Sequence, residues 1–287
     1  MKRWFGLILM LIMTNANASV ITVGPTGCEY SSIQTAIDAA ESGDIIQVQS
    51  GAYYENVDVN KQLTLLGIDT GTGKPVVDAK FSGSSFILNA DGIVIAGFAA
   101  TNSEDTSSST CAAGVYVYSN HNIIRNNDFV NNIFGIRLVQ SRDNVIISNN
   151  VSNNGFGIDL DRSINNTITQ NIIEGNYQCA KISVDLGEGQ HCSPGDGIRL
   201  KDSGRNNITY NEIENNCEGI ALESSHLNTI IHNEMSFNLG NIDLRNSLNN
   251  IINPNRITEY YADRGSGIDF CEAGDGRRSG YKHQTIF

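Results

Sequence analysis

Short apolar pulses recur along most of the chain at a step of 22 residues. In each copy an Ile and a Leu stand two positions apart: Ile136 and Leu138, Ile158 and Leu160, Ile198 and Leu200, Ile220 and Leu222, Ile242 and Leu244. A period of two marks a strand with one buried face. Two more pulses follow in each copy, such as Ile168 and Ile173, and Asn, Ser or Gly separates them. Polar columns keep the same step. One Asn column runs from Asn122 to Asn250, a second from Asn127 to Asn255, a third from Asn132 to Asn238, and a Ser column from Ser119 to Ser247. The consensus is G-I-x-L-x-x-S-x-x-N-x-I-x-x-N-x-I-x-x-N, interrupted once by an 18-residue insertion at about 177–195.

One repeat therefore holds three short strands and three turns, with no room for a helix. Copies of such a unit stack as parallel strands about 4.8 Å apart. The expected fold is all-β: a right-handed, single-stranded parallel β-helix with 22-residue coils. Inward Ile, Leu and Val columns form its core, and the Asn columns are read as amide ladders that bond one coil to the next. A solenoid needs its ends covered. Residues 31–42 predict a short N-terminal capping helix, with Ser31 and Gln34 as a capping box, Ile33, Ala36, Ile37 and Ala40 on one face, and Gly43 as the stop. At the other end Gly267–Phe270 reads as a last fragment of the G-I-x-L strand. The solenoid is expected over residues 19–271, with a loop at 101–113 and an unassigned tail at 272–287.

Composition narrows the choice. The chain has 35 Asn, 29 of them between Asn120 and Asn255, which argues against a helical bundle. A hydrophobic fraction of 40% excludes wholesale disorder. The formal charge of −12 excludes a nucleic-acid binder, which presents a basic face. Lys2 and Arg3, the apolar run Trp4–Met13 and Ala16-Asn17-Ala18 form the pattern of a secretory signal over residues 1–18. No membrane span is expected in the mature chain, which is placed outside the cytoplasm, secreted, at the cell surface or in the periplasm. Six Cys in an exported chain suggest disulfides, and Cys179 with Cys192, which flank the insertion, is the best single pair.

Two segments carry a family resemblance. Ser-Ser-Ile-Gln-Thr-Ala-Ile-Asp-Ala-Ala from Ser31, followed by Gly-Asp-Ile-Ile-Gln-Val, Gly-Ala-Tyr-Tyr-Glu-Asn-Val and Leu-Thr-Leu-Leu-Gly, resembles the opening of pectin-lyase-like right-handed β-helix proteins. The G-I-x-L-x-x-S-x-x-N repeats are similar to the NosD-like branch, with its carbohydrate-binding and sugar hydrolysis (CASH) repeats. The resemblance covers about residues 20–270 and implies contact with extracellular polysaccharide or a cell-envelope glycan. It brings no active-site motif: the Arg-x-Pro-x-x-Arg of pectate lyases and the Gly-His-Gly of polygalacturonases are absent. Copper handling of the NosD type is not supported, because the mature chain keeps one Met, Met235, and five scattered His.

The x positions of the G-I-x-L strand face outward. Stacked by copy they read Arg137, Asp159, Arg199, Ala221, Asp243, and then Val139, Asp161, Lys201, Glu223, Arg245. Alternating signs suit a charge ladder on a solvated face, each exposed pair worth under about 1 kcal/mol. The functional reading of the same positions is a polar groove for sugar hydroxyls or uronates. In that case Asp159, Asp161 and Glu223 are the candidate catalytic carboxylates, and Arg137, Arg199, Lys201 and the loop residue His191 are candidates for substrate binding. No cofactor is called for; a weak Ca²⁺ contact at Glu212 and Glu234 is the alternative to two solvated carboxylates. The reading leans to a polysaccharide-contacting protein without turnover. A polysaccharide lyase or glycoside hydrolase is the alternative, and a structural surface repeat protein is the third.

Overall fold

The computed structural model describes residues 18–105, 112–176 and 195–258. Three parallel sheets of nine, nine and eight strands run the length of a right-handed β-helix. Each full coil gives one strand to each sheet. In one coil Phe156–Asp161 lies in the third sheet, Thr167–Thr169 in the first and Ile172–Glu174 in the second. The register follows the sequence columns: Ile136, Ile158, Ile198, Ile220 and Ile242 pair in succession, as do the Leu residues two places on. These side chains fill one core continuous from Val23 to Met235.

The Asn ladders are interior. Asn149 shows the pattern: its backbone N–H and its Nδ2 both donate to Asn171 Oδ1 at 2.9 and 3.0 Å, and Nδ2 also donates to the Ile124 carbonyl at 2.9 Å. Its own Oδ1 accepts from Asn127 N and Nδ2, 22 residues earlier. The left-handed turn residues are not the ladder Asn but their neighbours: Asp143, Ser148 and Asn153, with φ of 57°, 56° and 56°, stand just before Asn144, Asn149 and Asn154. The positive φ turns the corner, and the next side chain then points into the solenoid where no water can satisfy it. Only an amide, with donors and an acceptor on one group, can bond both the coil above and the coil below.

The Gly that opens the G-I-x-L motif in most copies has a steric reason. A Cβ at Gly157 would sit 2.3 Å from the Gly197 carbonyl oxygen, 2.9 Å from Ile173 Cγ2 and 3.1 Å from Asn176 Nδ2. Gly157→Ala is expected to destabilise the chain by about 1–3 kcal/mol through overpacking, read as a lower midpoint in chemical denaturation.

Several expectations need correction. The capping helix spans Ile33–Ala39, and its N-cap is Ser32, not Ser31. Its first amides are met by Glu55, which accepts from Ile33 N and Gln34 N at 3.0 and 2.9 Å, so Gln34 does not complete a capping box. The Lys61 ammonium bonds the Ile37, Asp38 and Ala40 carbonyls at the other end. Within the expected 101–113 loop, Glu104–Asp105 pairs antiparallel with Ser82–Gly83, and Ala113 opens a strand of the third sheet. Cys28 is a free thiol and Cys217 is disulfide-bonded. The signal segment up to Asn17, Cys179, Cys192, His191, Gly267–Phe270 and the 272–287 tail lie outside the described residues. Among the described residues no helix is long and apolar enough to cross a membrane.

Candidate functional site

The outer surface of the third sheet carries three columns of side chains along the solenoid axis. The middle one is Tyr116, Arg137, Asp159, Arg199, Ala221 and Asp243, each in register with the next. The third holds Val139, Asp161, Lys201, Glu223 and Arg245. The first begins one residue before the strand's Gly: Ala113 pairs with Phe134 and Phe134 with Phe156, and Asp196 pairs with Glu218 and Glu218 with Gly240.

Asp159 is not a member of a solvated ladder. It is 0% exposed and lies between two arginines, with Arg199 Nε 2.7 Å from Oδ1 and Arg137 Nε 3.2 Å from Oδ2. The solvated-face expectation fails here because aromatic rings cover the pair. Phe134 and Phe156 stack at 4.8 Å in a small apolar cluster separate from the main core. The guanidinium of Arg137 lies 4.6 Å from the Phe134 centroid, and that of Arg199 lies 4.3 Å from the Phe156 centroid. Cation–π contact of this kind strengthens as water is excluded. Tyr116 and Tyr118 stack at 4.4 Å beside the cluster, and Tyr118 is 51% exposed.

Further along the axis the face becomes acidic. Asp196 and Glu218 are half-buried register partners on neighbouring strands. Burial pushes Asp196 up to about 7; Arg199 opposes this, and Glu218 adds to it. Burial likewise pushes Glu218 up to about 7, helped by Asp243 and opposed by Arg245. Asp243 is itself held by Arg245, Nε to Oδ2 at 2.7 Å. Near neutral pH such a pair offers a carboxylic acid beside a carboxylate, the two forms that general acid–base catalysis requires.

Of the residues expected at a site, Arg137, Asp159 and Arg199 are brought into one cluster. Asp161 is ion-paired to Arg162 at 3.0 Å and lies 4.0 Å from Arg137. Lys201 and Glu223 are register partners on the outer column, but no ion pair joins them. Glu212 and Glu234 pair in the second sheet, where Arg256 meets the charge of Glu234, so a protein cation stands where a Ca²⁺ contact was considered. Sequence reasoning gave no role to Asp196, Glu218, Phe134, Phe156 or the two tyrosines. The signal that finds Phe134, Phe156, Asp196 and Glu218 is the residue before each strand Gly, which changes from Phe to Asp to Glu while its neighbours repeat.

The profile described as "Right handed beta helix region" matches residues 68–217. The chain belongs to the right-handed β-helix family. This β-helix protein also matches, over residues 186–280, the profile described as "Periplasmic copper-binding protein (NosD)". The described residues do not fit copper: Met235 is buried in the core, Cys28 stands apart, Cys217 is disulfide-bonded, and no three His, Cys, Asp or Glu gather as ligands. No curated protein matches the chain. Among solved structures, DFA-IIIase from Arthrobacter chlorophenolicus A6 in complex with DFA-III is similar, with a TM-score of 0.58 and 12% identity over 82% of this chain and 67% of that one. Dettilon tailspike protein (gp208) gives 0.57 and 14%, over 78% of this chain and 46% of that one. The enzymatically active domain of tailspike protein 2 from bacteriophage CBA120 gives 0.56 and 16%, over 85% and 43%. Identities this low establish a common fold and carry no chemistry across.

Proposed function

We propose that this β-helix acts outside the cytoplasm, secreted, at the cell surface or in the periplasm, and contacts polysaccharide along the outer face of its third sheet. The exposed Tyr118 ring offers a stacking surface, and the carboxylates beyond it offer hydrogen-bond acceptors for sugar hydroxyls. The similar structures agree with this reading: one holds DFA-III, and another is the enzymatically active domain of a tailspike.

The sequence leans to contact without turnover. One observation moves the reading to a glycoside-cleaving site: two carboxylates in register, Asp196 and Glu218, both raised to about 7. In cleavage the protonated member gives its proton to the glycosidic oxygen as the carbon–oxygen bond breaks. Register neighbours stand about 5 Å apart, a spacing at which the other carboxylate attacks the anomeric carbon; water then hydrolyses that ester and returns a proton to the first residue. The pair then again holds one proton.

The test is a glycan panel incubated with the exported protein, with binding followed by calorimetry and cleavage by new reducing ends. Asp196→Asn and Glu218→Gln are each expected to lower turnover by ~10²–10⁴-fold, with binding changed far less. Binding with no turnover in the parent returns the site to a recognition surface. Absence of both leaves a structural repeat protein.

A further inference from the structure

We propose, on the reading of this face as a glycan site, that the glycan is uncharged: the face takes neutral oligosaccharides and rejects polyuronides. The argument turns on what the arginines already hold. Recognition of a uronate needs a guanidinium or ammonium group whose donors are open to the incoming carboxylate. Arg137 and Arg199 instead converge on one buried carboxylate, Asp159, at 3.2 and 2.7 Å. Their planar faces are occupied by Phe134 and Phe156, and only 14% and 20% of their side-chain areas are exposed. Arg245 is held by Asp243 at 2.7 Å, and Lys201, the remaining cation of the face, stands in register between two carboxylates, Asp161 and Glu223.

The balance of charge points the same way. Across the three columns the carboxylates of Asp159, Asp161, Asp196, Glu218, Glu223 and Asp243 outnumber the cations of Arg137, Arg199, Lys201 and Arg245. A uronate placed over Asp196 and Glu218 would bring a like charge against the carboxylate that the pair keeps ionised near neutral pH. A neutral oligosaccharide meets no such repulsion: one sugar can lay its C–H face on Tyr118, and another, three to four coils further along the axis, can donate hydroxyls to the pair. Elimination chemistry is disfavoured by the same argument, because a lyase must neutralise a uronate carboxylate with a cation. Water-dependent cleavage of a neutral glycan is the chemistry the face suits.

The experiment compares affinities for neutral oligosaccharides (fructo-, gluco- and galacto-oligomers) and for oligogalacturonate and alginate oligomers of equal length. Neutral ligands are expected to bind more tightly by about tenfold or more, since like charges set against each other are costly. A second measurement uses Asp243→Asn, at the exposed end of the face, where it releases Arg245 without uncovering a buried charge. The ratio of its uronate affinity to its neutral-glycan affinity is expected to rise. Uronate binding as tight as neutral binding in the parent overturns the inference and leaves the glycan site standing. An Asp243→Asn protein with that ratio unchanged overturns the argument from occupied arginines. A face that binds neither class sinks both the inference and the glycan reading beneath it.

Discussion

Leu160→Asp is expected to destabilise the chain by more than about 4 kcal/mol, enough to remove its cooperative unfolding transition. Leu160 is fully buried and stacks in register between Leu138 and Leu200. Three losses add. The apolar side chain contributes about 1.5–3 kcal/mol through burial. Its replacement opens a void in a close-packed column. The carboxylate must then enter a region with no cation or donor, or draw water between coils. A solenoid transmits such damage axially, because each coil is held mainly by its two neighbours. Chemical denaturation followed by the β-sheet circular dichroism band reads the result directly. Lys201→Ala on the outer face of the next strand is the control, expected to shift stability by less than about 1 kcal/mol. If the two variants melt alike, the inward and outward assignment of the third sheet is wrong.

The contrast between these residues also explains what the sequence could reveal. Inside the solenoid every coil meets the same surroundings, so the same residue solves the problem each time. Asn149 must bond Asn127 on one side and Asn171 on the other, and that demand writes itself as a column. The fold is legible because its interior is periodic. The outer face has no such demand, since its side chains answer to whatever lies over them. Ala113, Phe134, Phe156, Asp196, Glu218 and Gly240 occupy one column with no shared chemistry, and a search for repeats passes over it. The candidate site was therefore half legible. Arg137, Asp159 and Arg199 stood out by charge, but their burial depends on Phe134 and Phe156, which outward alternation alone does not foresee. Ser31 was mistaken for the cap because either of two adjacent serines fits the pattern. Glu55, from a segment more than 20 residues on, decides for Ser32.

Raising the pH from about 5 to about 8 is expected to lower the stability of the folded chain, and the carboxylate pair sets the sign. Asp196 and Glu218 ionise at about 7 in the fold, against ordinary values of 3.8 and 4.5. Between those limits the unfolded chain has released protons that the fold still holds. The unfolded state then binds fewer protons, so stability falls as pH rises, by at most about 1.4 kcal/mol per pH unit for each group. The stabilising effect is complete below about pH 4 and is lost as pH passes through 7. Asp44 and Asp69 act in the opposite sense at lower pH. Backbone amides hold both below the usual carboxylate range, and their contribution disappears only as pH falls beneath it. Melting temperatures recorded across this range should therefore decline toward the alkaline side. Asp196→Asn combined with Glu218→Gln keeps the shapes and removes the charges, so that variant should melt above the parent at pH 8 and lose most of the slope. A parent profile that is flat from pH 5 to pH 8 would show that the two carboxylates are solvated and ionised like any others. The acid–base role assigned to them would go with it, whatever glycan the face binds.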